Sequence, residues 1–300
     1  MHCAEFVGKC KIMLYFFIAL KYNPAIKTIC FTQKGNTIMK KTFALLLALM
    51  LALTCLTACG GASNDSDLSY IQEKGKMIVG ITDYAPMDYK DENGEWTGFD
   101  AEFAQMVCDE LDVECEFFVL ADWGKKFYEL ETKNIDVIWN GMTITEEVKL
   151  NTSCSDPYVV NAQVLVMKTD VIDQYDSTDK LNDLTFAVEN GSAGQDAVVG
   201  LGIAEDHIIA VQDQAAALME VAAGTSDACV IDITMANAMT GEGTNYADLA
   251  AGISLTSEEY GIGFRKDSDV TAKVNELMKQ WKADGTLQAL ADKYGLTLAE

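Results

Sequence analysis

The sequence predicts an α/β protein of two lobes, and three observations carry that prediction. Strand-like and helix-like segments alternate from Met77 onward, the same alternation starts afresh after the run AQVLVMK, and the helical segments carry apolar residues at helical spacing. Repeated βα units imply a mainly parallel sheet with helices on both faces, because a parallel connection must cross over a face of the sheet. A chain of 300 residues is long enough for two such bodies, each with its own core.

In the first set, MIVGIT reads as a strand and FDAEFAQMVCDELD as a helix. Phe99, Phe103, Val107 and Leu111 recur every four residues and so line one helical face. ECEFFV is a strand, DWGKKFYELET a helix and IDVIW a strand. NGMTITEEVK then runs from the strand end through a polar turn into a helix starting near Thr145. The second set reads LTFAV, a helix around GQDAVVG, HIIAV, the helix DQAAALMEVAAG, the strand DACVID and the helix ITMANAM. EEYGIGF follows as one more strand, and a closing helix places Val270, Val274, Leu277 and Trp281 on one face.

Upstream, Met39-Lys40-Lys41 precedes the apolar run FALLLALMLAL and then LTAC, ending at Cys59. Charged, apolar and small residues in that order mark a secretory signal, and the apolar run is too short for a permanent membrane helix. LTAC followed by Gly60-Gly61 resembles a bacterial lipobox, which makes residues 39–58 a signal peptide and Cys59 an acylated first residue; an ordinary signal peptide cut elsewhere is the alternative. Residues 1–38 are read as an upstream translation artefact, with a second membrane anchor as the alternative. Residues 59–69 are small and polar and read as a flexible tether.

Removing residues 1–58 takes away seven lysines and one glutamate and moves the formal charge from −24 to −30. Such an acidic chain does not suit nucleic acid, which demands basic patches. Cys108, Cys115, Cys154 and Cys229 form no metal-ligand spacing and read as small buried hydrophobes. His207 is the sole histidine after Cys59, which leaves a histidine metal site without ligands. No cofactor is expected.

The stretches VGITDYAPMDY, GEWTGFDAEFA, NIDVIWNGMTIT, SDPYVVNAQVLVMK, FAVENGSAG, SDACVID and EEYGIGFRK, in this order and spacing, resemble the polar-amino-acid substrate-binding lipoproteins of ABC transporters, family 3 of the bacterial extracellular solute-binding proteins. The resemblance implies the periplasmic-binding-protein-like fold, two α/β lobes that close on a ligand about two crossing segments. Those hinge segments fall at 158–162 and 258–262. Lobe 1 is then discontinuous, 70–157 and 261–300, and lobe 2 spans 163–257.

Carried over position by position, the resemblance implies a ligand site of Asp83, Tyr84, Trp123, Asn140, Gly141 and Thr143 from lobe 1. Glu189, Ser192, Ala193 and Asp232 join them from lobe 2. Asp232 at a strand end can accept a charge-assisted hydrogen bond from an α-ammonium, and it can equally be the cap of the helix it precedes. Trp123 and Tyr84 can sandwich a ligand, Gly141 admits close backbone approach, and Trp139 is core by alternation.

The sequence departs from the family at Val148, where an arginine usually clamps the ligand carboxylate. The chain's single arginine, Arg265, falls away from the cleft in the family layout. Lys125 and Lys126 follow Trp123 and read as a solvated helix face; the alternative is that one of them reaches inward and takes over the carboxylate clamp. Three site carboxylates without a cation therefore imply a ligand held chiefly by its amine end, with any carboxylate left to Thr143 and backbone N–H groups.

The implied function is an extracellular receptor of an ABC importer. It captures an amino-acid-like or amine ligand as a monomer, docks on a permease with ATPase subunits, and touches the membrane only through its lipid anchor. The alternatives are a sensor that reports ligand to a partner, and a dehydratase-like enzyme using Glu189 as a general acid.

Overall fold

The structure is a computed structural model that describes residues 66–300. The signal-like run, Cys59 and the tether up to residue 65 lie outside the described residues. Among the described residues no helix is long and apolar enough to cross a membrane.

Helix α1 (Asp67–Lys74) begins within the segment read as tether. The Ser66 hydroxyl accepts the Ser69 N–H at 3.0 Å as its cap, and Asp67 pairs with Arg265 at 2.6 Å. These partners and the core contact of Leu68 exist only in the folded protein, which is why the small, polar run reads as tether in sequence.

The chain continues through β1 (Lys76–Ile81), a small hairpin of β2 (Tyr89–Lys90) and β3 (Trp96–Thr97), α2 (Phe99–Glu110) and β4 (Glu114–Val119). A 3-10 turn (Trp123–Lys125) leads into α3 (Lys126–Glu131), followed by β5 (Val137–Ile138), α4 (Glu146–Asn151) and β6 (Ser153–Cys154). Then come β7 (Val159–Asn161), β8 (Gln163–Lys168), β9 (Phe186–Glu189), α5 (Ala193–Gly200), β10 (Ile208–Val211), α6 (Gln214–Ala223), β11 (Ala228–Asp232), α7 (Ile233–Met239) and β12 (Leu249–Ser254). The chain closes with β13 (Glu258–Tyr260), β14 (Gly263–Phe264), α8 (Val270–Asp284) and α9 (Thr286–Tyr294).

These strands build two five-stranded sheets, ordered β4-β1-β5-β14-β6 and β10-β9-β11-β8-β12. Each has parallel pairs on one side, β1 with β4 and β5, β9 with β10 and β11. Antiparallel strands complete the other side: β14 pairs with β5 and β6, and β8 pairs with β11 and β12. Between the sheets run β7 and β13, paired antiparallel with Glu258 opposite Asn161 and Tyr260 opposite Val159.

EEYGIGF is therefore not one strand. Its first half pairs with β7 and its second half enters the lobe 1 sheet. Gly261 sits at the break, where a side chain would meet the Cys154 Sγ at 2.7 Å and Ile144 at 2.8 Å.

Both periodic helices bury the faces their spacing indicated: Phe99, Phe103 and Val107 on α2, and Val270, Val274, Leu277 and Trp281 on α8. Phe103 gathers the lobe 1 core, meeting Trp139 edge-on at 4.8 Å and Trp281 at 5.9 Å. Such aromatic pairs contribute about 0.5–1.5 kcal/mol beyond area burial. Arg265 lies beneath this lobe, where its guanidinium joins Asp67 and the fully buried Asp136.

Candidate ligand cleft

The parallel strands of both sheets end toward one cavity between the lobes, where strand-end loops and helix starts present polar groups. Its lining comes from both sides: Trp123, Lys126, Asn140 to Thr143, Thr145 and Val148 of lobe 1, and Gln163, Glu189, Ser192, Ala193, Gln214 and Asp232 of lobe 2.

Asp232, at the end of β11, is buried and heavily hydrogen-bonded. One oxygen accepts from the amides of Asn161 and Gln163 (2.7 Å to Gln163), the other from Gln214, whose own carbonyl takes the Asp232 N–H at 2.9 Å. Its side chain caps no N–H of α7. Burial raises its carboxyl to about 6 against the opposing pull of these amide donors, the Gln214 bond first among them, and nearby Glu258 adds to the rise.

Glu189, at the end of β9, is also buried, 4 % exposed. Burial first, then Asp232 and Asp213, hold its carboxyl well above the usual range, with Lys126 and then the Gln214 amide pulling the other way. A buried carboxyl facing a cavity suits a cationic ligand group, which would ionise it on arrival.

Other residues singled out from the sequence have structural duties. Asn140 exchanges two 2.7 Å hydrogen bonds with Thr82, to its N–H and its hydroxyl. The Thr143 hydroxyl donates to Glu258 at 2.8 Å, which leaves it spoken for as a carboxylate donor. Ser192 caps α5, accepting the Gln195 N–H at 3.1 Å.

Gly141 has a φ of 55°, and a side chain there would strike the Tyr84 ring at 2.5 Å. Its small size thus serves packing against Tyr84 as well as the cavity wall. Tyr84 itself is fully buried behind that wall, in a hydroxyl triangle with Thr234 (2.6 Å) and Tyr260 (2.5 Å). Asp83 is exposed. Neither Asp83 nor Tyr84 reaches the cavity lining.

Lys126 requires a correction. It does not share a solvated face with Lys125: Lys125 pairs with Asp122 at the surface, whereas Lys126 is 4 % exposed and lines the cavity. Lys125 closes the 3-10 turn that Asp122 caps and Lys126 opens α3, so the two side chains leave the helical backbone about 100° apart, and the Gly191 turn of lobe 2 covers the second lysine. Its Nζ donates to the Gly191 carbonyl at 3.0 Å and the Trp123 carbonyl at 3.4 Å and sits 4.8 Å over the Trp123 ring. The site therefore does contain a cation. Val148, buried at 3 %, is an apolar part of the same wall.

Residues 77–297 match the model for bacterial extracellular solute-binding proteins, family 3. The chain belongs to that family. Among curated relatives, the L-cystine-binding protein TcyJ of Escherichia coli (strain K12) is 27% identical over 264 residues, covering 84% of this chain and 94% of the relative. The arginine-binding extracellular protein ArtP of Bacillus subtilis (strain 168) is 30% identical, covering 85% and 98%.

Solved structures agree on the two-lobed fold of this family 3 protein. A mutant ArgBP from T. maritima matches with TM-score 0.70 and 32% identity, over 76% of this chain and 98% of that one. The ancestral amino acid-binding protein AncCDT-1, a precursor of cyclohexadienyl dehydratase, matches with TM-score 0.68 and 33% identity, over 76% and 99%.

Proposed function

We propose that this family 3 protein is the receptor of an ABC importer for an amino acid, captured between the lobes and presented to a membrane permease. The observation that carries the reading is the pair of buried carboxyls, Glu189 and Asp232, on the lobe 2 wall of a cavity that both lobes line. They offer an α-ammonium what it needs, charge-assisted acceptors away from water. The names of the relatives, among them receptors for cystine, arginine and glutamine, support an amino acid as the ligand class.

The ribbon of β7 and β13 is the hinge in this reading, and ligand contacts from both sides favour the closed arrangement. Cys59 is the lipid attachment point that holds a monomeric receptor on the outer face of the cell membrane, on the strength of the LTACGG sequence.

Native mass spectrometry of the mature protein, followed by calorimetry with the common amino acids and L-cystine, tests the proposal. The expected result is one-to-one binding of at least one amino acid, lost in Asp232→Asn, with the ligand recovered at unchanged mass. Failure to bind any of them, or recovery of a dehydrated product, would overturn it. Mass spectrometry of the membrane fraction checks the anchor: an unmodified amino terminus at Met39 or earlier excludes acylation at Cys59.

A further inference from the structure

A buried lysine normally keeps a carboxylate partner, because an isolated ammonium loses its hydration without compensation. Lys126 breaks that pattern. Glu147, Glu189 and Asp196 act on it through space, yet among the described residues no carboxylate oxygen lies within 4.0 Å of its Nζ. Its contacts are two carbonyl oxygens and the faces of Trp123 and Phe127. An ammonium has three N–H donors, so one remains beyond those two carbonyls, in a residue that lines the cavity.

The carbonyl contacts also have a direction. Trp123 belongs to lobe 1 and Gly191 to lobe 2, so the Lys126 ammonium spans the cleft. We infer that Lys126 is the residue that binds the ligand's carboxylate, and that the same ammonium, by holding the Gly191 carbonyl, ties the bound anion to lobe closure. This rests on the amino-acid receptor reading and adds to it the end of the ligand that lobe 1 holds. The ligand then lies as a zwitterion, its carboxylate toward Lys126 and its ammonium toward Glu189 and Asp232.

Val148 belongs to the same inference. It lines the same cavity from α4, so a cation introduced there would enter the same space from a neighbouring helix. The apolar valine leaves the carboxylate to Lys126 alone, and the Trp123 ring beneath the ammonium keeps that lysine in place.

The test is calorimetry on the mature chain with the tightest binder from the amino-acid panel and with its carboxamide. Wild-type protein is expected to bind the carboxamide roughly tenfold to a hundredfold more weakly, since a charge-assisted contact is lost. Lys126→Met is expected to weaken the acid by a similar factor and the carboxamide by less than threefold. Lys126→Met combined with Val148→Arg is expected to regain most of the loss for the acid alone, which a merely structural lysine would not allow.

Equal affinity of wild-type protein for acid and carboxamide would overturn the inference and leave the receptor reading standing, and this comparison requires no variant to fold. Loss of acid and carboxamide affinity in equal measure in a folded Lys126→Met would overturn it too. Absence of binding to any amino acid would sink the receptor reading and this inference together.

Discussion

Gly191 and Gly124 meet backbone to backbone across the cleft: a methyl group on Gly191 would lie 2.7 Å from the Gly124 Cα. Beside this contact, the Asn190 amide donates to Asp122 at 3.0 Å and Lys126 donates to the Gly191 carbonyl. This rim of the cleft thus closes only because neither glycine carries a side chain there. Gly191 also has a φ of 69°, where a Cβ costs about 1 kcal/mol.

Gly191→Ala should therefore hold the lobes apart. The expected outcome is at least about a tenfold loss of ligand affinity with a melting temperature lowered by only a few degrees, at about 2–4 °C per kcal/mol. Small-angle scattering should show a ligated variant with a larger radius of gyration than ligated wild type. An unchanged affinity would show that this rim does not need backbone contact.

Behind the cavity wall, the fully buried Asp100 accepts the Gly141 N–H at 2.6 Å and the Tyr158 hydroxyl at 2.8 Å. Burial raises its carboxyl from the usual range to about 7 despite these donors, and burial with the Asp100 charge pushes up the neighbouring Asp88, whose carboxyl has no hydrogen-bond partner among the described residues. In both, the folded state holds the proton more tightly than the unfolded chain. The Asp100 contribution to stability is thus fully present below about pH 4 and is lost as pH rises through about 7. Asp100→Asn removes the charge while keeping an acceptor, so its melting temperature relative to wild type should improve between pH 5 and pH 8. A constant difference across that range would rule out Asp100 as the titrating group.

The same linkage acts on the ligand. Asp232, raised to about 6, and Glu189, held well above the usual carboxylate range by burial, must ionise to pair with an ammonium. Binding near pH 6 should release protons, visible as a dependence of the calorimetric enthalpy on the ionisation enthalpy of the buffer. Affinity should weaken as pH is lowered through 6, and Glu189→Gln should reduce the proton release. Uptake of protons on binding would contradict this arrangement.

Arg265, 11 % exposed, donates to Asp67 and to the fully buried Asp136, while Lys74 reaches the other Asp136 oxygen. Removing the arginine leaves Asp67 without its cation and Asp136 with Lys74 alone, at a cost approaching the roughly 3–5 kcal/mol of a broken buried pair. Arg265→Ala should lower the melting temperature by about 6–20 °C at 2–4 °C per kcal/mol. Ligand affinity of the folded fraction should stay within about threefold, since this cluster is remote from the cavity lining. A large change in affinity would place Arg265 in the binding machinery after all.

Much of the two-lobed fold was legible because its signals are local. Four-residue spacing on α2 and α8 and the short β-branched runs of β1, β8 and β11 report burial directly. EEYGIGF misled because periodicity records that a segment is buried, without recording which sheet receives it. Among site residues, Glu189 and Asp232 were reached through the family resemblance, and both lie at strand ends. Gln163 and Gln214 were not, since a glutamine carries no mark of the partner it will meet.

By itself the sequence determined the alternation of elements, the burial of their apolar faces, the absence of an arginine at position 148 and the presence of acids at the ends of β9 and β11. It left undetermined which of two adjacent lysines lines the cavity. Lys125 and Lys126 have the same chemistry, and one stretch of sequence spacing holds both. What separates them is the step of about 100° between neighbouring helical positions and a lobe 2 turn, some 65 positions onward, whose carbonyl meets one ammonium and not the other. Burial of a long cationic side chain depends on what covers it. That is a property of the packed lobes, so only the tertiary structure decided it.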